Sequence, residues 1–168
     1  MAVVFVDTNV LYLILRPPPE GELRAWLQAQ IARFCEPATR IIVSPLILDE
    51  LAYRLLLASV ADEGGARPLE ILRADKVAVL ERHGARIAQL LRDKVVALPG
   101  LTVAPVTEHE LDRALDYLVT YRLLPRDALH LAVAEAKRCD LLLSTDPDFA
   151  RAATLIPWEG PPVSVPKG

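Results

Sequence analysis

The sequence predicts an α/β fold: a mainly parallel sheet sandwiched by helices, with an extended helical arm. Three observations carry this. Short runs of β-branched and aliphatic residues alternate with longer stretches of helical spacing. The first strand candidate, Val3–Val6, is apolar throughout instead of alternating, as a strand covered on both faces is. No internal repeat and no linker long enough to separate a second domain interrupts the 168 residues, so a single core is expected. The domain is placed at residues 1–156, with the arm at about 58–99 and a proline-rich tail at 157–168.

The elements follow in order. Val3–Val6 is a strand that stops at Asp7. Val10–Leu15 begins a helix that the prolines at 17–19 must end. Glu22–Phe34 has helical spacing, with Leu23, Trp26, Leu27, Ile31 and Phe34 as its apolar face. Arg40–Val43 is the second strand. Ser44-Pro45 is an N-cap with proline in the first turn, opening a helix to about Ala58. After Gly64-Gly65 and Pro68, Leu69–Leu98 reads as one long helical stretch, with an interruption near Gly84. Its apolar stripe is Val77, Leu80, Ile87, Leu91 and Val95. Leu101–Val106 is a third strand. Glu108–Tyr121 is a helix with Leu111, Leu115 and Leu118 inward. Pro125 opens a helix to Lys137. Leu141–Leu143 is the fourth strand, and Val163–Val165 within the tail reads as an edge strand.

Composition narrows the function. The net charge of −3, from 19 basic and 22 acidic residues, excludes a protein that holds nucleic acid by bulk positive charge. Two cysteines, Cys35 and Cys139, exclude a disulfide scaffold and a multi-cysteine zinc site, and both read as buried reduced thiols. Neither a targeting segment nor a membrane span is legible, which makes a cytoplasmic location the expectation.

The acids are more informative. Asp7 and Asp146 directly follow predicted strands. Glu50 and Asp127 lie near the starts of helices that begin on the same side of the sheet. Ligands of open α/β sheets bind outside the carboxyl ends of the strands, so four carboxylates from four distant segments converge there. Clustered carboxylates repel one another unless a proton or a cation intervenes. Oxygen-only donors suit Mg²⁺ or Mn²⁺, and the matching chemistry is phosphodiester hydrolysis. Each acid alone also has a local explanation. Asp7 can cap the next helix, Glu50 can pair with Arg54 four residues on, Asp127 suits a first helical turn, and Asp146-Pro147 makes a turn. Asp49, about 100° around the helix from Glu50, points elsewhere. His130 is read as a satisfied histidine near the core. Arg126 is read as a solvated first-turn charge, with phosphate contact as its functional alternative.

Four segments together resemble the signature motifs of the PIN-domain ribonucleases. They are Val6-Asp7-Thr8-Asn9-Val10, Ser44-Pro45-Leu46-Ile47-Leu48-Asp49-Glu50-Leu51, Pro125-Arg126-Asp127-Ala128-Leu129-His130-Leu131-Ala132 and Leu143-Ser144-Thr145-Asp146-Pro147-Asp148-Phe149. The chain is most similar to the toxins of VapBC-type modules. The resemblance implies metal-binding acids at Asp7, Glu50, Asp127 and Asp146, with Thr8, Asn9, Thr145 and Asp148 supporting them. It implies Mg²⁺- or Mn²⁺-dependent RNA cleavage, a homodimer and an antitoxin partner. The segment between Ala58 and Pro99 is longer than in compact members. An aspartyl-nucleophile phosphatase is a rival, but it needs a second acid where this chain has Asn9. A receiver-like domain needs a lysine on a late strand, which is absent. A non-catalytic PIN-like interaction module has no use for the complete acid set. Apolar residues on more than one face of the 45–58 helix, with the stripe on the arm, predict an exposed patch for the second copy.

Overall fold

The computed structural model describes residues 2–64 and 66–162. Five strands form one sheet in the order β3-β2-β1-β4-β5, all parallel. They are β1 (Ala2–Val6), β2 (Thr39–Val43), β3 (Leu101–Val103), β4 (Leu141–Leu143) and β5 (Trp158–Glu159). β1 is the centre. Val4 pairs with Ile41 on one side and Leu141 on the other, and Phe5 with Ile42 and Leu142. These residues are almost wholly buried, apart from Leu141 at the start of β4, so the uniformly apolar strands do mark a sheet covered on both faces.

The helices are α1 (Thr8–Leu15), α2 (Glu22–Phe34), α3 (Pro45–Asp62), α4 (Pro68–Ala74), α5 (Lys76–Leu91), α6 (Glu108–Thr120) and α7 (Pro125–Ala136). α6 packs on α7, and α3 packs on α1, α4 and α5. Ser44 caps α3 through Ile47 N–H with Pro45 in the first turn, as the sequence predicts. Gly100 precedes β3 at φ +74°, where a Cβ would stand 2.6 Å from the carbonyl oxygen of Thr39. Only glycine fits that close approach. Among the described residues no helix is long and apolar enough to cross a membrane.

Several expectations need correction. The long helix of the arm breaks at Asp75, not at Gly84: Asp75 ends α4 and its carboxylate caps α5 through Ala78 N–H. Gly84 lies within α5, and a π-helical turn at Arg92–Val96 follows. The packed face of α5 is Val79, His83 and Ile87, while Val77 and Leu80 are exposed. In α6 the buried residues are Glu110, Ala114 and Tyr117, and Leu111 and Leu115 face solvent. In α2 Gln30 is buried and Ile31 exposed. β3 ends at Val103, short of Val106. Cys139 is buried, but Cys35 is exposed. The expected tail begins with a strand: Trp158–Glu159 pairs with Leu142–Leu143. The edge strand expected at Val163–Val165 lies outside the described residues.

Candidate active site

Because all strands run the same way, their carboxyl ends align, and the residues just after them share one crevice. Val6 ends β1 beside Leu143 at the end of β4. Asp7 and Ser144 follow, and Asp7 N–H donates to the carbonyl of Leu143 at 3.0 Å. The hydroxyl of Ser144 donates to Asp7 Oδ2 at 2.6 Å and accepts from the N–H of Asp146 at 3.0 Å. A fully buried serine thus ties the acid after the first strand to the acid after the fourth. Ser144 is itself held from behind. Its N–H donates to the carbonyl of Glu159, and its carbonyl accepts from Trp158 Nε1 at 3.1 Å. Glu159 is fixed by Gln30 Nε2 at 2.8 Å and Arg33 at 3.0 Å, both from α2.

The local roles weighed from sequence are present. Asp7 Oδ1 caps α1 by accepting from Thr8 N–H at 2.7 Å. Asp146 Oδ1 accepts from Asp148 N–H at 2.9 Å and opens the 3-10 turn at Pro147–Ala152. These bonds orient each carboxylate without neutralising it. Thr8 and Asn9 both bond to candidate acids. Thr8 Oγ1 donates to Glu50 Oε2 at 3.1 Å, and Asn9 Nδ2 donates to Asp7 Oδ2 at 3.2 Å. Arg54 donates to Asn9 Oδ1 and lies 4.3 Å over the ring of Tyr12. It therefore serves Asn9, and not Glu50 as the i,i+4 spacing allows. Asp148 is paired with Arg151 at 2.8 Å. Thr145 is half-buried beside them. Asp49 is exposed, away from Glu50.

Arg126 departs from its sequence reading. It is exposed, as a solvated first-turn charge is, but it is also paired: Nη1 lies 2.8 Å from Glu50 Oε1. Ser144, Arg54 and Arg126 are the site residues that sequence reasoning passed over or underrated. The only signal for them is position, a serine directly after β4 and arginines one helical step from the candidate acids.

The electrostatics show how closely the acids gather. Burial, first, and then repulsion from Asp7, Asp146, Asp148 and Glu50 push the Asp127 carboxyl up to about 7. Burial also pushes Asp7 up to about 6, with Glu50 and Asp146 adding to it, against the hydrogen bonds from Ser144 and Thr8. Among the described residues neither Asp7 nor Asp127 has an ion-pair partner. The repulsion is left standing, which makes Asp7 and Asp127 candidates for a functional site. Among the described residues no three His, Cys, Asp or Glu side chains are closed into a ready ligand set. The donors nonetheless fit a hard divalent cation: they are all carboxylate oxygens, and Asp7 and Asp127 are disfavoured as anions by burial and by their acidic neighbours.

A parallel α/β sheet with uncompensated carboxylates at its carboxyl edge defines a protein of the acid-crevice class. The family model described as PIN domain matches residues 4–155, and the chain belongs to that family. Three solved structures resemble it. One is a toxin-antitoxin complex from Klebsiella pneumoniae, with 20% identity and a TM-score of 0.53 over 88% of this chain and 90% of the other. The second is VapBC2 from Rickettsia felis bound to a DNA fragment from its promoter, with 16% identity and a TM-score of 0.54 over 94% and 98%. The third is Mycobacterium tuberculosis VapC20, a Sarcin-Ricin loop cleaving toxin, with 20% identity and a TM-score of 0.51 over 89% and 94%. At these identities the likeness is one of fold. No curated protein gives a match.

His130, three residues after Asp127, is 1% exposed, as a near-core residue should be, but it is not satisfied. Neither ring nitrogen has a hydrogen-bond partner among the described residues. Its ring centroid lies 5.8 Å from that of Phe5, and burial pushes its pKa down to about 4. It is a neutral core residue beneath the crevice.

Proposed function

We propose that this PIN-domain chain is a Mg²⁺- or Mn²⁺-dependent endoribonuclease, the toxin of a toxin-antitoxin pair acting in the cytoplasm. One observation carries the reading: Asp7, just after β1, and Asp127, in the first turn of α7, gather with Glu50 and Asp146 and have no ion-pair partner among the described residues. Asp7, Glu50, Asp127 and Asp146 would hold the metal. When bound, a divalent ion polarises a phosphoryl oxygen and activates water for in-line attack. The chain's own residues set the stage for that chemistry. Ser144 fixes Asp7 and Asp146 in register, Thr8 orients Glu50, and Asn9, steadied by Arg54, orients Asp7. Thr145 and Asp148 line the same edge.

The phosphatase rival loses further ground. Asn9 is spent as a donor to Asp7 and offers no acid proton. The fold shared with toxin-antitoxin structures supports an antitoxin partner, since such a toxin needs an inhibitor in its own cell. A homodimer is proposed through exposed apolar residues. On the arm these are Ile71, Val77 and Leu80, and α6 adds Leu111, Leu115 and Val119. Light scattering should give about twice the 18.5 kDa chain mass.

The deciding experiment incubates the purified chain with end-labelled single-stranded RNA. Cleavage is expected with Mn²⁺ and none with excess chelator, alongside calorimetric Mn²⁺ binding that Asp7→Asn abolishes. Cleavage that persists in chelator, or no divalent binding at millimolar concentrations, would overturn the reading.

A further inference from the structure

Glu50 is the one acid of the proposed ligand set in an ion pair among the described residues, and both its oxygens are engaged. Oε1 faces Arg126 Nη1 at 2.8 Å, and Oε2 accepts from Thr8 Oγ1 at 3.1 Å. The two partners of the ion pair differ in setting. The Glu50 side chain is 23% exposed, whereas that of Arg126 is 58% exposed. Arg126 sits in the first turn of α7, one residue before Asp127, and its contact with Glu50 brings a largely exposed guanidinium to the acid set.

A divalent cation entering among the acids meets that guanidinium at Glu50. The ion and the guanidinium then compete for the negative charge of one carboxylate, and their mutual repulsion grows in a partly desolvated site. The half-exposed partner gives way. Once off Glu50, the guanidinium remains beside the reacting centre with five donors free, in a planar fork that matches phosphate oxygens.

Building on the metal-dependent ribonuclease reading, we propose that Arg126 is a cation-responsive positioning residue, which holds Glu50 in the metal-free site and passes to an RNA phosphate when metal binds. The same side chain then opposes metal binding and favours substrate binding. A residue needed only to brace the fold has no such opposed effects.

Two measurements test this. Phenylglyoxal labelling with peptide mass spectrometry reads Arg126 in the unmodified chain. Mn²⁺ should raise its labelling rate severalfold, and Glu50→Gln should show the raised rate without Mn²⁺. Calorimetry with Mn²⁺ alone should show Arg126→Ala binding about three- to tenfold more tightly than the parent chain. The KM for RNA should rise by about tenfold in that variant, with kcat less affected. Labelling indifferent to Mn²⁺, or Mn²⁺ affinity unchanged in Arg126→Ala, would overturn the arginine proposal while leaving the metal site standing. A parent chain that binds no Mn²⁺ would end both.

Discussion

The crevice and the arm each gather buried and charged groups, and they handle charge in opposite ways. In the arm, a cavity of about 150 Å³ lies between the ends of α3, α4 and α5, lined by Glu63, Asp75, Arg82 and His83 among apolar neighbours. Glu63 there has Arg82 at 3.0 Å and His83 at 3.5 Å, and the arginine, first, holds its carboxyl below the ordinary range. Asp75 is spent on capping α5. In the crevice, Asp7 and Asp127 are pushed the other way. Both regions place acids near histidine and arginine, so residue types do not tell them apart. What separates them is the pair Asp7 and Asp127: although Glu50 in the crevice meets Arg126, these two acids have no ion-pair partner among the described residues, whereas Glu63 in the arm has two.

The largest expected effect tests that contrast directly. Asp127→Asn should lower RNA cleavage by about 10²- to 10³-fold, the scale for removing one strong electrostatic contributor. Glu63→Gln should leave cleavage within about twofold, because its pair is exposed and far from chemistry. Single-turnover assays on folded variants check this, and equal losses would erase the distinction.

His130 sharpens the contrast from below. Its folded pKa of about 4 lies under the ordinary 6.5, so the folded state prefers the neutral ring. The stability this gives is complete above about pH 6.5 and is lost as pH falls toward 4. The whole span corresponds to about 3 kcal/mol. His130→Leu should remove this share of the acid sensitivity and stabilise the chain at pH 7 by about 1–3 kcal/mol, since no buried nitrogen is left without a partner. Denaturant midpoints at pH 7 and pH 5 measure it, and parallel pH profiles for parent and variant would count against the isolated histidine.

The smallest effect concerns metal. Asp7 and Asp127 have folded pKa values raised above the ordinary carboxylate range. The cation-free fold therefore loses stability as pH rises from about 4 through 6–7, the reverse of a salt-bridged acid. A divalent cation should offset this where both are ionised. At a concentration a hundredfold above Kd it contributes about 2.7 kcal/mol, or about 5–10 °C in Tm for a chain of this size. The shift with Mn²⁺ should be larger at pH 8 than at pH 5 in thermal melts. A shift independent of pH would place the bound ion elsewhere.

Much of this was legible from the residues. Asp7 and Asp146 could be placed because each lies one to three residues beyond a short apolar run that reads as an interior strand. α2 and α7 were readable because each begins at a breaker, just after Gly21 and at Pro125, and continues with helical spacing. The helix faces of α5 and α6 were not. Counting leucines favoured Val77 and Leu80, and Leu111 and Leu115, but the packed faces are built around polar or small residues. His83 sits between Val79 and Ile87, and Glu110 is turned inward by its bonds to Thr107 at the helix start. Tyr117 bonds Glu135 of α7. Periodicity of hydrophobic residues carries no sign of such partnerships. β5 escaped because two residues make no pattern, and its strand character comes only from pairing with β4. Arg126 escaped because its partner lies 76 positions earlier in the chain.

The order of the sheet has a consequence for synthesis. β1 emerges first and lies at the centre, flanked by β2 and β4. Its β2 edge can be covered once Val43 is made, but its other edge waits for Leu141–Leu143, nearly a hundred residues later. During that interval the nascent chain carries an open apolar strand edge, the kind that recruits foreign strands. Parallel partners so far apart also make for slow folding once the chain is complete. The acids arrive in the same drawn-out order, with Asp146 last and the support behind Ser144 later still. A growing chain therefore cannot assemble the full set of candidate acids until almost all of these residues have been translated, so the interval of exposed strand edge and the interval of an incomplete crevice coincide.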